Sequence, residues 1–179
     1  MTQIAATYGQ ALYDLAKEEN LEQTVLEQMD VLQQAFAAQP TFITLLNAPN
    51  LSKQERCQIL DESFRECVHI YVLNFLKILT EKGYMGHFSE CCKAFRQYYN
   101  DAHAILPVQV VTAVAMQEQQ AQRLTEKLSN LTGKTVQLSC KVDPAVLGGV
   151  RLDYDGKRVD GTVKNRLDNI RDLLKNTVL

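Results

Sequence analysis

The feature that most constrains this chain is a change of hydrophobic period near Ala104. Before it, apolar residues recur at steps of three and four, the repeat of amphipathic helices. After it, most apolar residues alternate with polar ones, the repeat of strands covered on one face. With 179 residues, 46% apolar and 22% charged, the chain can bury a core, and these values exclude disordered, collagen-like and rod-like classes. An α+β protein is therefore expected: an antiparallel six-helix bundle over 1–104, then a small α/β domain over 105–179.

In the helical half, Ile4, Tyr8, Ala11, Leu12 and Leu15 share one broad stripe of a first helix. Val25, Met29, Leu32 and Phe36 mark a second that stops near Pro40. Phe42, Ile43, Leu45 and Leu46 form a short third, ended by Pro49. Ser52 followed by Glu55 is a capping-box pattern, in which each residue satisfies a backbone N–H of the other, so a fourth helix starts there. A fifth, about 68–82, carries Val72, Phe75, Leu76, Ile78 and Leu79, and Gly83 is placed to end it. Phe88, Cys92, Phe95 and Tyr99 mark a sixth, over about 85–102. The short connections favour antiparallel neighbours.

The second half reads β-α-β-β-β-α. Leu106, Val108 and Val110 belong to a strand with both faces partly covered. Ala121, Leu124, Leu128 and Leu131 mark a helix closed by Gly133, and Val136, Leu138, Cys140 and Val142 a half-buried strand. Val150, Leu152 and Tyr154 lead into Asp155-Gly156, a two-residue hairpin turn, with return through Val159. Asp160 or Thr162 can cap a last helix whose Val163, Leu167, Ile170 and Leu174 are expected to face inward.

Charge divides at the same place. Residues 1–103 hold 8 Lys and Arg against 13 Asp and Glu, a net of −5, whereas 104–179 hold 11 against 8, a net of +3. The two halves can meet different partners. A bundle at −5 is unsuited to a phosphate backbone, so an RNA-binding or regulatory adaptor is the weaker alternative and no nucleic acid is expected. Met1-Thr2-Gln3-Ile4 shows no basic stretch leading into an apolar one, and no window reaches the roughly 20 apolar residues of a spanning helix, so a cytosolic chain is expected. Five cysteines, an odd count with Cys91 and Cys92 adjacent, favour reduced thiols.

Other constellations read as structural. The cysteine spacings do not match a zinc site, and His69, His87 and His103 are scattered, so no metal is expected. Asp153, Asp155 and Gly156 echo a calcium loop without its first ligand or closing Glu, and a hairpin turn accounts for them better. Gly148-Gly149 leads into a strand rather than a helix, which favours a bulge or close backbone approach over a phosphate loop. No nucleophile elbow is present, so neither catalytic residues nor a cofactor is assigned. An enzyme whose site is assembled from distant residues would need a deep pocket with convergent titratable groups. The first and fifth helices are apolar over a wide arc; the arc is either plain core or an uncovered groove for another chain's amphipathic helix, and periodicity leaves both open.

Two stretches carry a resemblance. Asp143-Pro144-Ala145-Val146-Leu147-Gly148-Gly149-Val150-Arg151-Leu152, followed by Val159-Asp160-Gly161-Thr162-Val163-Lys164-Asn165-Arg166-Leu167, is similar to the C-terminal signature of the F-type ATP synthase delta subunit family, which includes the mitochondrial oligomycin-sensitivity-conferring protein. The opening Tyr8-Gly9-Gln10-Ala11-Leu12-Tyr13-Asp14-Leu15-Ala16 resembles that family's first helix, and Asn74 to Gly83 its fifth. Gly9 stands where the family often has Ala, and Thr162 where it often has Ser; Gly should weaken its helix by about 1 kcal/mol unless packing compensates.

The resemblance implies a non-catalytic stator subunit in the peripheral stalk of a proton-translocating ATP synthase. Its helical half would bind the N-terminal helix of an alpha subunit between the first and fifth helices, and its C-terminal half the ends of the b subunits. Membrane association would come only through the complex, at the cytoplasmic face of a bacterial membrane. By position, Tyr8, Ala11, Leu15 and Ile78 are the groove candidates, and Val163, Leu167 and Ile170 the candidates for the second contact.

Overall fold

The computed structural model describes residues 2–47 and 51–167. The protein is α+β, and its chain gathers into two compact units, Met1–Tyr99 and Asn100–Leu179.

The first unit is helical. Its elements are α1 (Gln3–Glu18), α2 (Glu22–Ala38), α3 (Pro40–Leu46), α4 (Lys53–Phe64), α5 (Ile70–Glu81), a 3-10 turn (Met85–His87) and α6 (Phe88–Ala102), whose last residues pass the boundary at Tyr99. Local chemistry sets most of the boundaries. Thr2 caps α1 by accepting the Ala5 amide, and Pro40 opens α3, where its missing N–H costs nothing. Ser52 and Glu55 form the expected capping box on α4. His69 caps α5 by accepting the Tyr71 amide at 3.4 Å, and Gly83 follows that helix at φ +74. The stop expected at Pro49 lies outside the described residues.

The core takes Val25, Met29, Leu32 and Phe36 from α2, Val72, Phe75, Leu76 and Leu79 from α5, and Phe88, Cys92 and Phe95 from α6, all at the expected spacings. Helix α1 departs from its expected stripe. Its buried residues are Ala5, Gly9, Leu12, Tyr13 and Ala16, so the inward arc is turned toward the small side chains while Ala11 and Leu15 stay outside. Gly9 supplies the reason: a Cβ there would lie 2.6 Å from the Ala94 Cβ and 3.0 Å from the Cys91 carbonyl oxygen. Helices α1 and α6 meet nearly backbone to backbone at this point, and that approach fixes the rotation of α1.

The second unit is a four-stranded sheet with one long helix. Its elements are β1 (Ile105–Thr112), α7 (Glu118–Thr132), β2 (Thr135–Val142), a 3-10 turn (Pro144–Val146), β3 (Val150–Tyr154) and β4 (Lys157–Asp160); a helix begins at 163 and is described to 167. The strand order is β2-β1-β3-β4, with β1 parallel to β2 and antiparallel to β3. Leu106, Val108, Val110 and Val136 form the core under Leu124 and Leu128 of α7. Asp155 and Gly156 both adopt positive φ, +47 and +69, as the hairpin requires.

Three expectations change here. Leu131 of α7 is exposed rather than part of the sheet-facing stripe, because the helix has reached its last turn. Cys140 and Val142 are exposed since β2 is an edge strand and only its first half is covered. Val163 and Leu167 also stand in solvent rather than facing inward; Ile170 and Leu174 lie outside the described residues.

Candidate partner-binding site

The groove candidates sit on two neighbouring helices of the first unit, since α1 packs beside α5. Tyr8 is half-buried and meets Tyr84 edge-on with ring centroids 6.0 Å apart, which closes one end of the pair. One turn on from Tyr8, Ala11 is exposed, and Leu15 follows at 38% exposure. On α5, Ile78 is 44% exposed although its neighbours Phe75, Leu76 and Leu79 are core. These two helices thus keep Leu15 and Ile78 in water while Leu12, Phe75, Leu76 and Leu79 are core. Asp14 and Glu18 border the Ala11 and Leu15 stripe, being three residues beyond each member.

Several interactions hold this surface in position. The Thr2 backbone N–H and hydroxyl both donate to the Glu90 carboxylate, at 3.0 and 2.7 Å, tying the start of α1 to α6. Those two hydrogen bonds, the hydroxyl's first, hold the Glu90 carboxyl below its ordinary pKa. On the outer side of α5, Lys77 pairs with Asp61 of α4 at 2.6 Å, and the Cys57 thiol donates to Glu81 at 3.7 Å. Burial first, and the Glu81 charge second, raise the Cys57 pKa. Cys91 is pushed up to about 11 by burial, and Cys92 is raised further, by burial first and then by the Cys91 charge. These thiols behave as core hydrophobes rather than nucleophiles.

Ile70 was not among the expected site residues, yet it is exposed and lies two turns before Ile78, with Asn74 between them, on the same face of α5. The eight-residue spacing from Ile78, two turns of the same helix, was the available signal. It was masked because the whole of α5 is apolar enough to read as core.

The C-terminal candidates are placed by the second signature. The Gly148 carbonyl accepts the Val163 N–H at 3.0 Å, and the Val150 carbonyl accepts the Gly161 N–H at 3.0 Å, so the loop entering β3 is stitched to the loop leaving β4. Gly149 sits at φ +80, and a Cβ on it would lie 2.5 Å from the Gly161 carbonyl oxygen; close approach, not phosphate binding, explains the paired glycines. Thr162 donates its hydroxyl to Asp160 at 2.6 Å and accepts the Asn165 amide at 3.2 Å, starting the helix that carries Val163 and Leu167. The two hydrogen bonds from Thr162, with Arg151 and Arg158 nearby, lower the Asp160 pKa. Val163 and Leu167 are 44% and 53% exposed. The structure brings Tyr8, Ala11 and Leu15 onto one face of α1 beside α5, and Val163 and Leu167 one turn apart on another helix.

Among the described residues no group of three or more His, Cys, Asp or Glu could hold a metal ion, and no helix is long and apolar enough to cross a membrane. Asp153 is engaged by Arg158 at 2.6 Å and Arg151 at 3.2 Å, so the partial calcium-loop pattern is occupied by ion pairs.

A family model described as ATP synthase delta (OSCP) subunit matches residues 4–174. The chain belongs to that family. The resemblance carried by the two signatures is therefore borne out over almost the whole sequence. ATP synthase subunit delta of Alkaliphilus oremlandii (strain OhILAs) is 32% identical over 171 residues, spanning 96% of this chain and 95% of that one. The subunit of the same name from Lacticaseibacillus casei (strain BL23) is 33% identical over 169 residues, with 94% and 93% covered. The fold is also that of a chain in the Toxoplasma gondii mitochondrial ATP synthase hexamer, at TM-score 0.73 and 18% identity, covering 97% of this chain and 98% of that one.

Proposed function

We propose that this delta-family protein is a non-catalytic connector in the peripheral stalk of a proton-translocating F-type ATP synthase, holding the catalytic head still against the rotor. In this reading α1–α6 act as one antiparallel six-helix bundle, residues 105–179 act as a second domain, and the N-terminal amphipathic helix of one alpha subunit lies along α1 and α5. The C-terminal domain meets the ends of the b subunits. The protein is peripheral, attached to the cytoplasmic face of a bacterial membrane through the complex.

The observation that carries this reading is the exposure of Ala11, Leu15 and Ile78 on adjacent helices that bury Leu12, Tyr13, Phe75, Leu76 and Leu79 in the core. A static tether needs slow dissociation under load. Burial of an apolar stripe supplies it, at about 25 cal/mol per Å² before ordering costs are subtracted. The role demands no nucleotide pocket and no proton-carrying side chain.

Titration of the full chain with a synthetic peptide of the alpha N-terminus tests the reading. Saturable binding, with resonance shifts at Ala11, Leu15 and Ile78, is expected. Absence of binding at high micromolar peptide would overturn it.

A further inference from the structure

The two edges of the C-terminal sheet are protected very differently. In the order β2-β1-β3-β4, β2 and β4 each have one side that no strand among the described residues pairs with. β4 is 4 residues long and carries Lys157, Arg158 and Asp160, a short charged edge of the kind that discourages pairing. β2 runs for 8 residues, Thr135–Val142, with no proline and Lys141 as its one charge. An edge of that length and composition is a template for another strand.

The ladder to β1 fixes which backbone groups face the open side. Thr135 donates its N–H to the Ala104 carbonyl at 2.9 Å, and Asp143 donates to the Thr112 carbonyl at 2.8 Å, so the odd-numbered residues of β2 spend their backbone groups on β1. The N–H and C=O of Val136, Leu138, Cys140 and Val142 therefore point away from the sheet. Val136 and Leu138 belong to the cluster under α7, whereas Cys140 is exposed and Val142 is 48% exposed.

This pattern is self-complementary about Ser139. An antiparallel copy centred there sets Val136 opposite Val142 and Leu138 opposite Cys140, each pair exchanging two backbone hydrogen bonds, so every outward group of both strands finds a partner. On the other face Gln137 meets Lys141 and Thr135 meets Asp143, and Lys134 of one copy arrives at the end where Asp143 of the other stands, so no like charges oppose each other. The half of β2 that its own α7 leaves bare falls beside the half that the copy's α7 covers. Leu131, 82% exposed in the last turn of α7, stands at the Val136 end and hence at the end where the copy brings Val142. The outward positions of Leu131, Cys140 and Val142 thus share one explanation.

We propose that the outer edge of β2 is a self-association surface, and that its occupant is β2 of a second copy of this chain, paired antiparallel about Ser139 so that the two sheets become one. This edge contains none of the residues assigned to the alpha or b contacts, so its failure would leave the connector reading standing.

The test is sedimentation of the full chain from low to high micromolar concentration, where a reversible monomer–dimer equilibrium is expected. Cys140 should react with a thiol reagent more slowly as concentration rises, and Cys67 should not. Val142→Lys changes an exposed side chain, so it should melt with the parent while raising the dimer dissociation constant about tenfold or more. Cys140→Pro deletes one outward N–H and none of the bonds to β1, and should also favour the monomer. In a chain carrying C140S, Ser139→Cys sets two thiols across the two-fold axis in a non-hydrogen-bonded pair, with Cα atoms about 4.5 Å apart and within reach of a disulfide. Oxidation by dissolved oxygen with a copper catalyst should then bridge position 139 to itself between copies, as peptide mapping would show. A parent that stays monomeric at high micromolar concentration would overturn the proposal. So would a dimer that Val142→Lys and Cys140→Pro leave as tight as the parent, or one in which the 139 bridge does not form.

Discussion

Gly9 shows how a single residue decides which face of a helix is left for a partner. Alanine would be the better helix former by about 1 kcal/mol, yet its methyl would sit 2.6 Å from Ala94. Overpacking of that kind typically costs about 1–3 kcal/mol, so Gly9→Ala should lower the melting temperature despite the propensity gain, and calorimetric melting of the pair of proteins checks it. The cysteines make a second residue-scale prediction. Cys67 and Cys140 are exposed, whereas Cys91 and Cys92 are buried with raised pKa values. A bulky thiol reagent should therefore modify Cys67 and Cys140 quickly in the native protein and reach Cys91 and Cys92 only on unfolding, as peptide mapping would show. Gly9 could be picked out in the sequence as an oddity, but its meaning required Ala94, 85 positions away, to be placed against it.

At the scale of elements, one aromatic cluster ties together helices that no local signal relates. Phe36 of α2 meets Phe88 of α6 at 5.1 Å, Phe42 of α3 at 5.7 Å and Phe64 of α4 at 5.9 Å between ring centroids. Phe36→Ala should cost about 3–5 kcal/mol and be the most damaging single change on α2, measurable by urea unfolding. The start of α1 depends on pH through Glu90. Its pKa is depressed in the folded protein, so its contribution is fully present above the unfolded value near 4.5 and is lost as pH falls through the lower folded value. Amide exchange in the first turn of α1 should accelerate below that range in the parent, and Glu90→Gln should remove most of this pH dependence while exchanging faster at neutral pH. The Ser52–Glu55 capping box and the Asp155–Gly156 turn were fully legible because each is a contact between residues within a few positions. The outward position of Leu131, Val142, Val163 and Leu167 was not, since alternation and helical spacing identify a face without saying whether anything covers it.

At the scale of the whole molecule, the two units offer apolar surfaces of different surroundings, acidic residues beside the α1 stripe and cations beside Val163 and Leu167. Leu15→Asp and Ile78→Asp should each cost about 1–2 kcal/mol of stability, because both side chains are partly in water already, and each should weaken alpha-peptide binding by roughly fivefold or more, the equivalent of about 1 kcal/mol of lost burial. A variant that keeps parental affinity at both positions would remove the groove. What the sequence determined by itself were the two periods, the change near Ala104, the caps and turns, and the signatures of the delta family, all of which depend on spacings along the chain. What only the tertiary structure decided was which apolar residues remain wet. Ala11 and Leu12 read alike in the first stripe, yet one is exposed and the other buried, because the close approach of Gly9 to Ala94 sets the rotation of α1, and burial is a property of two surfaces in contact.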